Sequence, residues 1–283
     1  MRDTPLQGRT VLITGGSRGL GAATARRVAA LGARVVITYR ERAQDAAAVV
    51  AACEARTRGA RAEQLDLREE DSVRDLFSRL EARGDDLDVV IANAAATAFK
   101  PLLEVKPHQL DKTFAISVRH FLLTVQLAFP FLQRRGGRVV AVSGADTVGY
   151  LPGHGLLAAA KASMETMVRY LGCELGPHGV TAVGVLPGYV DTASIRMMAG
   201  PYHDKLVAAE ERTHPLRTAA SPDDAAEVIA MLCRDEARWL NGQIVQNDGG
   251  GLFAALGRFG QAWAMVPDDA APPDASDAPM LRE

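Results

Sequence analysis

Cysteine is scarce and dispersed in this chain. Cys53, Cys173 and Cys233 are the only three in 283 residues, and they form no CxxC pair. That excludes a disulfide framework and a cysteine-based zinc site, and it predicts reduced thiols in a cytoplasmic protein. An excess of either charge is also missing. The net charge is −2 and no block of Lys or Arg stands out, so neither nucleic acid nor an anionic membrane is expected as a partner. No run of about 20 apolar residues occurs, so no membrane span is expected. Residues 1–8 (MRDTPLQG) lack the apolar stretch of a signal peptide. The scattered histidines show no metal-ligand spacing, and no metal is predicted.

What is present is an ordinary globular composition, 48% hydrophobic and 23% charged. Apolar, β-prone runs at 9–14 (RTVLIT), 34–39 (RVVITY), 60–66, 87–93, 137–143 (GRVVAVS) and 180–186 alternate with helical patterns. The helices are expected near 20–31, 41–57, 69–83, as a pair across 106–135, and at 155–175. Strands that are apolar throughout and separated by helices predict a parallel sheet covered on both faces. The fold class is therefore α/β, a doubly wound Rossmann-type sheet in a single domain, residues 1–266. Residues 193–220 lack a clean period and are expected to form a small helical flap. Residues 267–283 (PDDAAPPDASDAPMLRE) read as a disordered tail.

One segment carries specific chemistry. Residues 14–21 (TGGSRGLG) follow the first strand and open the first helix. Gly15 permits the tight turn, Gly19 lets the backbone approach a pyrophosphate, and Gly21 lets the helix pack closely. With Ser17, Arg18 and Leu20 they present a helix N-terminus to phosphate groups. The second strand ends in Tyr39 and Arg40, where NAD-binding proteins carry an acidic residue. Arg40 can pair with a 2′-phosphate and Arg18 can flank it, so NADP(H) is the predicted cofactor. Glu41 is the competing signal, since it would serve NAD if the strand ended one residue later.

These features resemble the short-chain dehydrogenase/reductase family across residues 6–252. Residues 14–21 match its TGxxxGxG, and Asp66 with Leu67 match the pair beside the adenine. Residues 92–95 (ANAA), with Asn93 and Ala94, stand where the family has NNAG. Residues 187–192 (PGYVDT) match the turn that touches the nicotinamide carboxamide, through Pro187, Gly188, Val190 and Thr192. Residues 241–243 (NGQ) and 248–250 (DGG) match the C-terminal signature. Family members assemble through the long helices that match 115–131 and 155–175, which implies a homodimer or homotetramer.

The resemblance fails at the family's proton machinery. Lys161 matches the catalytic lysine and would also bind the nicotinamide ribose. One helical turn earlier, where the family has its tyrosine, stands Leu157. Gly144 takes the serine's place and Ala115 the asparagine's. Ser143 lies one residue away and would serve if the loop were shifted. Enoyl-acyl-carrier-protein reductases that resemble this family separate Tyr and Lys by six residues. Residues 95–101 and 150–154 (YLPGH) are similar to that subgroup, and in its register the tyrosine becomes His154. Histidine titrates near neutrality and can donate a proton. The alternative is that His154 only caps the helix or faces solvent. Tyr150, Asp146 and Ser143 are secondary candidates on the same loop, Tyr189 could also reach the pocket, and His203 in the flap is a substrate-contact candidate.

The expected function is an atypical NADP(H)-dependent reductase of an enone, enoyl thioester or ketone, free or acyl-carrier-bound, in biosynthesis. The alternatives are a non-redox enzyme on the same scaffold, such as a cyclase, dehydratase or isomerase, and a catalytically inactive partner of an active paralogue.

Overall fold

The computed structural model describes residues 4–256; the tail expected at 267–283 lies outside them. Seven strands form one parallel sheet: β1 (Thr10–Ile13), β2 (Arg34–Tyr39), β3 (Arg61–Gln64), β4 (Val89–Ala92), β5 (Arg138–Val142), β6 (Thr181–Pro187) and β7 (Ile244–Asn247). Their order is β3-β2-β1-β4-β5-β6-β7. Val11 pairs with Val35 on one side and Val89 on the other. Strand order therefore reverses at β1, and the crevice at the carboxyl ends of β1 and β4 is the ligand position of a doubly wound sheet.

The apolar strands arise from burial on both faces. Alternate residues of one strand point to opposite sides, and here both sides are core. Val11, Ile13, Ile37 and Ile91 face α1 (Gly19–Ala30), α2 (Ala43–Glu54) and α9 (Pro222–Leu232). Leu12, Val36, Val90 and Val139 face α3 (Glu70–Ala82), α5 (His120–Leu132) and α6 (Gly155–Leu175). The pair of helices expected across 106–135 is α4 (Pro107–Phe114) and α5, joined through a π turn at Ala115–Arg119. The run Pro107–Leu132 is long and apolar enough to cross a membrane by length and composition alone. Its Phe121, Val125, Ala128, Phe131 and Leu132 are instead part of the core.

The segment after β6 is helical, as its flap reading requires: α7 (Ala193–Ala199), a 3-10 turn at Gly200–Tyr202, and α8 (His203–Thr213). Asp191 latches it, accepting from Arg196 Nη2 at 2.7 Å and lying 2.8 Å from His203 Nε2. His203 is thereby committed to the latch. His214 Nε2 donates to the Asp248 carbonyl at 2.7 Å and ties the flap's end to the segment leading into α10 (Gly251–Leu256).

Candidate active site

The glycine turn between β1 and α1 is held by side chains of its neighbours. The Thr14 hydroxyl accepts from the Asn93 and Ala94 amides at 3.0 and 3.1 Å. The Asn93 side chain donates to the Thr14 and Gly15 carbonyls at 3.0 and 3.1 Å. Asn93 thus acts on the turn, clamping it to the end of β4. A Cβ on Gly21 would lie 2.3 Å from the Gly15 carbonyl oxygen, and one on Gly16 would lie 2.6 Å from Ile37. Gly16 is a requirement that the motif match passed over, because the collision comes from β2. Arg18 precedes α1 and makes no side-chain cap, so the amides of the first turn stay free for an anion.

A cavity of about 570 Å³ opens over this turn. Gly15, Ser17, Arg18, Gly19, Leu20, Gly21, Arg40, Asp66, Leu67, Asn93, Ala94 and Thr192 line it, together with Lys112, which the sequence did not single out. Its dimensions suit a dinucleotide. Four arginines, Arg18, Arg40, Arg42 and Arg68, line the end beside β2 and β3, and their partners differ; Arg42 pairs with Asp45 at 3.2 Å. Arg40 pairs with Glu41 at 2.9 Å, so Glu41 is drawn into an ion pair. Arg68 chelates the Asp66 carboxylate, and that hydrogen bonding holds the Asp66 carboxyl below the usual range. Among the described residues Arg18 has no carboxylate partner. His120, buried in α5, donates from Nδ1 to the Leu67 carbonyl at 2.6 Å and braces the same ledge.

Of the turn after β6 only Thr192 lines this cavity; Pro187, Gly188 and Val190 lie outside its lining. A Cβ on Gly188 would sit 2.8 Å from Asp248, so only glycine lets β6 and β7 close here. Val190 is buried and bridges to Ala220. Thr192 caps α7, accepting from the Ile195 amide at 3.3 Å.

Lys161 is 5% exposed, and its ammonium donates to the Val142 carbonyl at 2.5 Å. Burial pushes it down to about 8, against the opposing pull of Asp146 and Glu165. Ser143 does not turn toward it. Its hydroxyl donates to Glu165 Oε1 at 2.5 Å, and Thr147 donates to the same oxygen at 2.9 Å. Glu165, buried one turn beyond Lys161 on α6, was missed from the sequence because only the fold brings the loop onto it. Tyr150 is 91% exposed and contributes nothing to this cluster.

His154 is the N-cap residue of α6, yet its side chain neither caps the helix nor faces water. It is 6% exposed. Its Nδ1 lies 3.2 Å from Asp146 Oδ2 and its Nε2 3.2 Å from the Met198 sulfur in α7. Phe99 covers one ring face, with centroids 4.6 Å apart. The Lys100 amide donates to the Gly153 carbonyl at 3.0 Å and docks the β4 loop onto the α6 entry. The loops after β4, β5 and β6 therefore converge on this imidazole. A Cβ on Gly144 would fall 2.6 Å from Asp146 Oδ1. Among the described residues the Tyr189 hydroxyl is buried without a partner, and burial raises its pKa, with Asp191 and Glu210 adding to the rise.

Fold and site together define a doubly wound dinucleotide-binding protein with a buried histidine–aspartate pair beside Lys161. Comparison with known proteins sharpens the class. The family of enoyl-(acyl carrier protein) reductases matches residues 15–251. The 1-cyclohexenylcarbonyl-CoA reductase of Streptomyces collinus is 34% identical over 251 residues, 89% of each chain. The hydroxynaphthalene reductase of Aspergillus fumigatus is 33% identical over 84% of this chain and 90% of its own. A short-chain dehydrogenase from Burkholderia cenocepacia, solved in complex with NADP, is 35% identical with a TM-score of 0.78, over 88% of this chain and 99% of that one. This chain belongs to the short-chain dehydrogenase/reductase family of oxidoreductases.

Proposed function

We propose that this protein is an NADPH-dependent reductase of a conjugated carbon–carbon double bond, carried by an enoyl thioester or enone, in which His154 supplies the proton. The observation that carries the reading is the buried imidazole at the entry to α6, one nitrogen held by a carboxylate and the other turned toward the flap. Reduction of a CoA thioester by the Streptomyces collinus relative supports the substrate class, and the NADP complex of the Burkholderia relative supports the cofactor.

The glycine turn and the free amides opening α1 would hold the pyrophosphate. Arg18 and Arg40 would hold the 2′-phosphate, and Lys161 the nicotinamide ribose. The bound cofactor supplies a hydride. As the double bond accepts it, negative charge moves onto the conjugated carbonyl oxygen. His154 Nε2–H is the donor available to meet that charge, displacing the weak contact to Met198. Phe99 and the flap keep water from the ring. A small-molecule or carrier-bound acyl substrate, handled by a homo-oligomer, completes the proposal.

The test is NADPH consumption with a 2-enoyl-CoA, an enone and a ketone, using the purified full chain. Turnover of the conjugated substrates with equimolar loss of NADPH is the expected result. Tight NADPH binding without turnover of any of them would sink the reading. Product formation without NADPH loss would point instead to isomerase or dehydratase chemistry.

Cofactor choice is separately testable. Charged hydrogen bonds contribute about 1.5–3 kcal/mol each. Replacing both Arg18 and Arg40 by Ala should weaken NADPH by at least about tenfold and leave NADH within about threefold. Equal losses for both nucleotides in a fluorescence titration would show that these arginines do not read the 2′-phosphate.

A further inference from the structure

We propose that Asp146 is the positioning residue for His154, and that its carboxylate stands in the space the family gives to its serine side chain. The inference rests on the reading of His154 as proton donor. The two side chains are 6% and 8% exposed, and Asp146 Oδ2 lies 3.2 Å from His154 Nδ1. The loop carrying Asp146 is clamped on both sides of it, because Ser143 and Thr147 both donate to the buried Glu165. The aspartate is therefore presented at a fixed place.

Gly144 explains why it can be there. Gly144 has extended backbone that any residue can adopt, with φ −164°. Only the side-chain volume is restricted. A Cβ at this position would lie 2.6 Å from Asp146 Oδ1, well inside van der Waals contact. A serine at 144 would require the Asp146 carboxylate to move from this place. Glycine at this position leaves the carboxylate room to stand where it meets His154.

The pairing sets the chemistry of the ring. An ionised carboxylate only accepts, so Nδ1 must carry a hydrogen. In the charged ring the remaining N–H is then at Nε2, facing Met198 and the flap. Once that proton is given up, the neutral ring already has the tautomer that Asp146 holds, and no ring flip is needed. A carboxylate behind a catalytic histidine fixes tautomer and orientation in this way in hydrolases with a catalytic triad.

The experiment compares Asp146→Asn, Gly144→Ser and His154→Ala in the full chain. The readouts are kcat and KM for a 2-enoyl-CoA, NADPH affinity, and nitrogen-15 shifts of the His154 ring. An amide at 146 can donate to Nδ1 and favours the opposite tautomer. Asp146→Asn should lower kcat by about 10²–10⁴-fold with NADPH affinity unchanged. Gly144→Ser should act in the same direction by displacing the carboxylate. In the unmodified protein the neutral ring should carry its hydrogen on Nδ1, and Asp146→Asn should move it to Nε2. The inference is overturned if the neutral ring carries its hydrogen on Nε2, or if Asp146→Asn keeps kcat while His154→Ala abolishes it. If His154→Ala leaves kcat intact, the reading of His154 as proton donor falls instead. The ring shifts need no turnover, so they decide the pairing even without a working substrate.

Discussion

His154→Ala is expected to cut kcat by about 10²–10⁴-fold, the usual contribution of a positioned general acid. The argument is one of supply. At the family's tyrosine stands Leu157, at its serine Gly144, and at its asparagine Ala115. Ser143 is committed to Glu165, and Tyr150 points into solvent. Tyr189 has a buried hydroxyl, but its raised pKa makes it a poor acid. The Lys161 ammonium is taken up by the Val142 carbonyl, and His154 remains, its Nε2 held only by the weak contact to Met198. The substitution also leaves the Asp146 carboxylate without its partner, at a cost to folding of about 1–3 kcal/mol. NADPH affinity and the melting transition must therefore be measured beside kcat. A variant that folds, binds NADPH and turns over at the original rate removes His154 from the mechanism.

The second large effect concerns Lys161 and the pH dependence of stability. Its ammonium is buried and titrates at about 8 in the folded chain, against 10.5 for an ordinary lysine. Between those values the unfolded chain binds more protons than the folded one, so stability rises with pH across that window. The contribution is fully present above 10.5 and is lost as pH falls through about 8. Its size is about 3 kcal/mol, at 1.36 kcal/mol for each unit. Two buried thiols act the other way. Burial pushes Cys53 up to about 11 and Cys233 up to about 12, so both cost stability as the unfolded chain's thiols ionise. Those contributions are common to the parent and to Lys161→Met and cancel in their difference. Denaturant titrations of both proteins at pH 7.5 and 10.5, values bracketing that window, should show the parent gaining about 3 kcal/mol relative to the variant. Parallel pH profiles would mean that the buried ammonium is not shifted.

Much of this architecture could be read from the chain, and the exceptions have physical causes. The six strands from β1 to β6 were legible because burial on both faces leaves uninterrupted apolar runs. The edge strand β7 (IVQN) is only partly buried and carries no such run. Helix α9 was passed over although Ser221, Pro222 and Asp224 form a capping box at its start. The Gly15, Gly19 and Gly21 turn was legible because its constraint is local: a tight turn, a helix start and a phosphate approach.

By itself the sequence determined six strands of the sheet, the dinucleotide turn, the arginine at the end of β2 and the absence of the family's tyrosine, serine and asparagine. Only the tertiary structure decided what replaces them. His154 and Asp146 lie eight residues apart on an irregular loop whose path no periodicity predicts. Ser143 and Glu165 meet across 22 residues, and Met198 reaches His154 across 44. Such contacts depend on how the loops after β4, β5 and β6 fold over one another. Spacing along a chain sets neighbours within a helix or strand, but only packing sets which polar group a buried side chain must satisfy.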